Sequence, residues 1–239
     1  MTAAAPFSFP VPAPHFKKGT VIVMDTKSVL RELYLIGIVP VVKIDKAEDA
    51  LPLCEALLRG GLPCAEVTFR TACAAEAIAK IKQEVPGAVL IAGTVLKLEQ
   101  LKAAKAAGAE ACVAPGFDPA IVSAANEMGM PFCPGVATAS ELSQALALGC
   151  QFVKFFPAES AGGVKYIKDL LGAFRWTGVT FMPTGGVKLS NVADYLSVPE
   201  IICCGGTWIA PKDAIKNDDW ATIEKLASEA AALAKEIKK

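Results

Sequence analysis

AVLIAGT (Ala88–Thr94), KLEQLKAAKAAGA (Lys97–Ala109) and ACVAPG (Ala111–Gly116) follow one another in the chain and decide the reading of the fold. Two short apolar runs flank an Ala- and Lys-rich segment long enough for a helix. That is the pattern of a strand, a crossover helix and a second, parallel strand. The runs are almost continuously apolar rather than alternating, as expected of strands covered on both faces. The pattern recurs outward in both directions. Upstream lie VPVVKI (Val39–Ile44) and CAEVTFR (Cys64–Arg70); downstream lie PFCPGVAT (Pro131–Thr138), FVKFFPA (Phe152–Ala158), VTFMPTGG (Val179–Gly186) and EIICCGG (Glu200–Gly206). Successive strands start about 23 residues apart, room for a strand and its helix. Eight units with nothing left over point to an α/β fold of the closed (β/α)8 or TIM-barrel type. An open doubly wound sheet usually carries a glycine-rich dinucleotide turn after its first strand, and VPVVKIDKAEDA (Val39–Ala50) has none.

Beyond the units lie two end segments. TKSVLRELYLIG (Thr26–Gly37) reads as an N-terminal helix closed by a C-capping glycine, and DDWATIEKLASEAAALAKEIKK (Asp218–Lys239) as an amphipathic helix completing the outer ring. Residues 1–24 are rich in Pro and small side chains and read as an extended arm. A transit peptide is the competing reading, but this stretch has no Arg and little Ser. Residues 25–239 then form a single domain.

Composition narrows the chemistry. The chain of 239 residues is 53% hydrophobic and 20% charged, enough for a large core. Lys+Arg and Asp+Glu both number 24, which removes the charge signature of a nucleic-acid binder. Mean hydropathy is high at +0.43, yet no apolar stretch reaches the ~18 residues of a membrane span. The surplus goes into a core or a subunit interface. The one histidine, His15, excludes paired-His metal sites and argues against Ser-His-Asp or Cys-His catalysis. The eight cysteines form no C-x-x-C pair, and no secretory segment opens the chain, so a reducing cytoplasm is expected.

In a barrel, chemistry is sought among polar residues inside the strands or just past their C-terminal ends. Lys154 sits in QFVKFFPA with Phe152 and Phe156 on its own face. Desolvation there favours the neutral amine, a nucleophile able to form a Schiff base with a ketone. A lysine that snorkels outward or forms a structural ion pair is an equal reading of the strand alone. Glu66, Thr68 and Arg70 share one face of CAEVTFR, which places a carboxylate inside the barrel and an arginine ~13 Å along at the rim. Glu66 is thus a general acid–base candidate or half of a structural Glu66–Lys154 pair. PTGG (Pro183–Gly186) and CGGT (Cys204–Thr207) end the last two strands, where barrels of this kind hold phosphate on backbone N–H groups. Thr94, Pro115 and Thr138 end other strands, where they either line a pocket or, as is commoner for each alone, are ordinary strand-end residues. Lys43 ends the first strand, as a second cation for an anionic substrate or as an ordinary loop lysine.

EVTFR, AGTVL, KFFPAE, PTGGV and GGTW, in this order and spacing, together resemble the 2-keto-3-deoxy-6-phosphogluconate aldolase family, which overlaps with 4-hydroxy-2-oxoglutarate aldolases. The likeness runs from about Asp25 through the C-terminal helix. It implies a class I aldolase on a (β/α)8 barrel, usually a homotrimer, acting on a phosphorylated keto acid and pyruvate with no metal or cofactor. By motif, Lys154 resembles the Schiff-base lysine and Glu66 the general acid–base. Arg70 and Thr94 look like the groups holding the pyruvate carboxylate, and Pro115 and Phe156 like pocket walls. Gly185, Gly186, Gly205, Gly206 and Thr207 resemble the phosphate cradle. Two departures stand out: Thr207 replaces a frequent Ser before the Trp, and Lys43 stands where some members carry Arg. No nucleic acid or membrane partner is implied. Residues alone leave open a phosphosugar isomerase or synthase, or a non-catalytic phosphate-binding barrel.

Overall fold

A computed structural model describes residues 26–238; the arm expected over 1–24 lies outside the described residues. The strands are β1 (Ile38–Val42), β2 (Cys64–Thr68), β3 (Val89–Gly93), β4 (Ala111–Val113), β5 (Phe132–Cys133), β6 (Gly135–Val136), β7 (Phe152–Phe155), β8 (Thr180–Pro183) and β9 (Cys204–Gly206). Helices α1 (Thr26–Ile36), α2 (Ala50–Arg59), α3 (Ala74–Glu84), α4 (Leu98–Ala106), α5 (Pro119–Glu127), α6 (Ala139–Ala147), α7 (Gly163–Phe174), α8 (Val192–Leu196), α9 (Lys212–Lys216) and α10 (Trp220–Ile237) precede, separate and follow them.

All strand pairs are parallel, in a six-stranded sheet ordered β5-β4-β3-β2-β1-β9 and a three-stranded sheet ordered β6-β7-β8. The strand expected at Pro131–Thr138 is split into β5 and β6 at Pro134, which has no N–H to give a ladder. Its carbonyl still accepts the N–H of Lys154 at 2.9 Å. The strand expected at Glu200–Gly206 shortens to β9, and single bridges Phe181–Ile201 and Thr184–Gly205 join that segment to β8.

Strand alternation separates two apolar clusters. On β3, Leu90 and Ala92 face the helices with Leu53, Leu57, Ile78 and Ile81, whereas Val89 and Ile91 face inward with Val113, Cys133, Met182 and Cys203. Helix α1 joins the inner cluster through Val29 and Leu33, beside Cys64 and Val89, the first residues of β2 and β3. It therefore covers the N-terminal ends of the strands. Gly37 ends it at φ +77°, its N–H bonded to the Leu33 carbonyl at 2.9 Å. At the other end of the chain, Lys238 donates to the carbonyls of Tyr34 and Ile202 and lies 4.2 Å from the centre of the Tyr34 ring.

Thr138, read from the sequence as a pocket or ordinary strand-end residue, caps α6. Its hydroxyl accepts the Glu141 N–H at 3.3 Å, and the Glu141 carboxylate accepts the N–H groups of Ala137 and Thr138 at 2.8 and 2.9 Å. Thr138→Ala is expected to lower stability by about 1 kcal/mol, read as a lower urea midpoint with an unchanged slope. The N–H of Ala137, then Thr138, hold the Glu141 carboxyl below its usual range. The stability gained from that charged carboxylate is complete at neutral pH. It declines as pH drops through the ordinary carboxylate range and is lost below the depressed value.

Candidate active site

Because every strand runs the same way, all the strand ends that carry candidate residues lie at one mouth. Beneath that mouth, Glu66 sits at the centre of β2, opposite Val41 of β1 and Ile91 of β3. Its neighbours Ala65 and Val67 belong to the outer cluster, so the carboxylate points inward as the alternation requires. Lys154 belongs to the other sheet, opposite Gly135 of β6 and Met182 of β8. The two side chains meet in the interior, with Nζ of Lys154 2.9 and 3.1 Å from the two oxygens of Glu66. Glu66 is 0% exposed and Lys154 4%. The Phe156 ring lies over the ammonium, 5.8 Å from its centroid. A buried amine and carboxylate in hydrogen-bond contact can exchange a proton, leaving a nucleophilic amine beside an acid.

Two backbone features border this pair. A Cβ on Gly93 would lie 2.3 Å from Oε1 of Glu66 and 2.7 Å from its Cγ, so the bare backbone of β3 gives the carboxylate its space. The next residue, Thr94, holds φ at +58°, a conformation that costs a β-branched residue about 1–3 kcal/mol. At the rim, the exposed Arg70 donates from Nε to the Thr68 hydroxyl at 3.1 Å, and that hydroxyl donates to the Val42 carbonyl at 2.9 Å. Lys43 forms an ion pair with Asp45 in its own loop. The Lys43 bond holds the Asp45 carboxyl below its usual range, with Lys212 and Arg70 adding to the effect.

The four glycines are not equivalent. Gly185 and Gly186 adopt φ of +97° and +81°, which side chains rarely tolerate. Gly205 and Gly206 have no such requirement; their bare faces are filled by the Thr184 side chain and the Trp208 ring, where a Cβ would lie 2.3 and 1.9 Å from the nearest atoms. The Thr184 hydroxyl is buried without a hydrogen-bond partner. Thr207 is exposed, while Pro115 and Phe156 are half-buried at the ends of β4 and β7.

The family model of KDPG and KHG aldolases matches residues 27–226. The chain belongs to this family. A 2-dehydro-3-deoxy-phosphogluconate aldolase of Treponema pallidum is 44% identical over 202 residues, 84% of this chain and 95% of that protein. The KDPG aldolase of Legionella pneumophila, solved with pyruvate captured as a covalent carbinolamine, matches with a TM-score of 0.81 at 38% identity, covering 86% of this chain and 97% of its own. The 2-keto-3-deoxy-6-phosphogluconate aldolase of Zymomonas mobilis, solved with 3-phosphoglycerate, matches with a TM-score of 0.80 at 42% identity, covering 89% and 97%.

In this member of the family, Glu66 and Lys154 are in contact, and Arg70, Thr94, Pro115, Phe156, Gly185, Gly186 and Thr207 follow the ends of their strands at one mouth. Lys43 shares that rim but spends its charge on Asp45. The sequence reading missed two glycines. Gly93 makes room for Glu66, and Gly135 lets β6 approach Pro115, whose carbonyl carbon would lie 2.3 Å from an added Cβ. Each is a glycine inside an apolar strand, the signal of close backbone approach. Gly93→Ala forces the Glu66 carboxylate aside. Turnover is expected to fall about 10²-fold, the scale of a 1 Å misplacement, while the melting curve stays cooperative.

Proposed function

We infer that this chain is a class I aldolase that reversibly cleaves 2-keto-3-deoxy-6-phosphogluconate to pyruvate and glyceraldehyde 3-phosphate, and that it also accepts 4-hydroxy-2-oxoglutarate. The observation that carries the reading is the buried contact between Lys154 and Glu66. Family membership and the pyruvate carbinolamine of the Legionella enzyme support it.

Glu66 takes a proton from the Lys154 ammonium, and the freed amine attacks the C2 ketone. The nitrogen passes one of its protons to the new alkoxide to give the carbinolamine, Glu66 returns its own proton to that hydroxyl, water leaves, and an iminium forms. The carboxylate, ionised again, removes the C4 hydroxyl proton. The C3–C4 electrons flow into the iminium, releasing the aldehyde and leaving an enamine. Glu66 then protonates C3, and water adds to the new iminium to free pyruvate and Lys154. One carboxylate thus carries each proton in turn. Arg70 and Thr94 hold the substrate carboxylate, and Pro115 and Phe156 wall the pocket, while Lys43, paired with Asp45, lines the rim without a free charge to offer. Gly185, Gly186, Gly205, Gly206 and Thr207 receive the phosphate. The positive φ at Gly185 and Gly186 and the 3-phosphoglycerate of the Zymomonas enzyme support that subsite.

The scaffold is a closed (β/α)8 barrel in this reading. Counting β5 and β6 as one strand broken at Pro134, together with the bridges Phe181–Ile201 and Thr184–Gly205, supports that closure. Residues 25–239 form its one domain, and the homotrimer suggested by the family resemblance buries apolar surface such as Leu96, which is 53% exposed. Eight free cysteines, seven of them buried, suit a reducing cytoplasm.

Pyruvate release from 2-keto-3-deoxy-6-phosphogluconate tests the activity directly. The iminium supplies the electron sink, so EDTA is expected to leave the rate unchanged. Removing the phosphate, with 2-keto-3-deoxygluconate as substrate, is expected to lower kcat/KM at least tenfold. Equal values for the two substrates would overturn the phosphate subsite, and a metal requirement would overturn the class I mechanism.

A further inference from the structure

Glu159 is the last residue of KFFPAE and has no part in the chemistry above. Its backbone N–H donates to the Gly185 carbonyl at 3.0 Å, beside the Ala158 N–H that donates to Thr184 at 2.8 Å. Its side chain lies flat on Gly186: a Cβ added there would meet Cβ and Cγ of Glu159 at 2.6 Å. Its carboxylate accepts the hydroxyl of Tyr195, a ring 1% exposed on α8. Burial, reinforced by the carboxylate, pushes that phenol above its usual range, so it stays a donor. From the same side as α8, Asn191 donates from Nδ2 to the Gly186 carbonyl at 3.2 Å. The turn at Gly185–Gly186, at φ values that glycine holds only loosely, is thus clamped from both flanks.

A carboxylate near an anion site is electrostatically adverse, so its orientation matters. A Cβ on Gly163 would lie 3.3 Å from Oε1 of Glu159 and 3.5 Å from the Tyr195 hydroxyl. Gly163 opens the 12-residue α7, whose N-terminal dipole favours a negative charge there. The charge is therefore compensated by that helix terminus.

We propose that Glu159, held by Tyr195, is a positioning residue that presets the Gly185–Gly186 backbone for the substrate phosphoryl group. The inference rests on the reading above that this turn holds the phosphate. Loss of the side chain frees the turn and lowers discrimination in favour of phosphorylated substrate without touching the imine chemistry.

The test compares kcat/KM for 2-keto-3-deoxy-6-phosphogluconate and 2-keto-3-deoxygluconate in the parent, Glu159→Ala, Glu159→Gln and Tyr195→Phe proteins. Borohydride trapping of pyruvate serves as a check that the fold and imine formation are intact. Glu159→Ala and Tyr195→Phe are expected to raise KM for the phosphorylated substrate roughly tenfold, the scale of one hydrogen bond to a charged group. The unphosphorylated substrate and the trapping rate should be unaffected. Glu159→Gln keeps the acceptor for Tyr195 and is expected to restore the parent KM. An equal loss on both substrates, or on neither, would overturn the positioning role while leaving the phosphate site standing. A parent enzyme indifferent to the phosphate would remove both.

Discussion

Lys154→Met is expected to abolish turnover and to leave a protein that borohydride and pyruvate no longer inactivate together. In the parent, the same treatment is expected to fix a pyruvate-derived mass on Lys154 and stop activity irreversibly. Methionine matches the length of the lysine stem and has no amine, so the variant removes the nucleophile with little change in packing volume. Its cost falls on the partner. Glu66 is 0% exposed and keeps no ammonium to offset its charge, and removing one member of a buried pair typically costs ~3–5 kcal/mol. Domains are usually stable by ~5–15 kcal/mol, so the variant still folds, with a lower Tm. Activity must therefore be read beside a melting curve at a temperature where both proteins are native. A folded Lys154→Met protein that still cleaves substrate would remove the Schiff base from the mechanism. A mass adduct on another lysine in the parent would move the nucleophile there.

The alternation of parallel strands with helices and the inward parity of Glu66 were legible in the sequence, because both follow from local periodicity. Ala65 and Val67 pack outward on the helices, as the alternation in CAEVTFR requires. The ending of α1 at Gly37 was legible for the same reason: one glycine at positive φ is a local event. What was not legible depends on residues far apart in the chain. The contact between Glu66 and Lys154 joins two sheets across 88 residues, and the sequence offered that pair only as one of two readings of Glu66, with no geometry to choose between them. The role of α1 as a cover for the strand starts is likewise tertiary, since any amphipathic helix has the same pattern. Position alone leaves Thr138 between two readings. A threonine ending a strand is also the residue beginning a helix, and the Glu three places on marks the capping box that claims it. Pro134 could have warned that its strand would be broken, for proline cannot donate within a ladder.

Glu66→Gln tests the other half of the pair and separates structure from chemistry. The amide keeps the size of the carboxylate and much of its hydrogen bonding, but it cannot carry a proton. Cleavage is expected to slow by ~10²–10⁴-fold, the usual effect of removing a general acid–base. Lys154 is still present, so pyruvate and borohydride should still label it, but slowly. That distinguishes this variant from Lys154→Met, which gives no label at any time. Exchange of the pyruvate methyl protons with deuterated solvent isolates the step at C3 and should slow in parallel, because the same carboxylate serves it. The buried ammonium loses its counter-charge in the variant, so a lower Tm is expected here as well. If Glu66→Gln lowers Tm yet cleaves substrate at the parent rate, the contact at 2.9 Å is a structural ion pair. The proton transfers then belong to a bound water or to the substrate phosphate, and methyl-proton exchange at the parent rate, in a substrate with no phosphate, would assign the step at C3 to water.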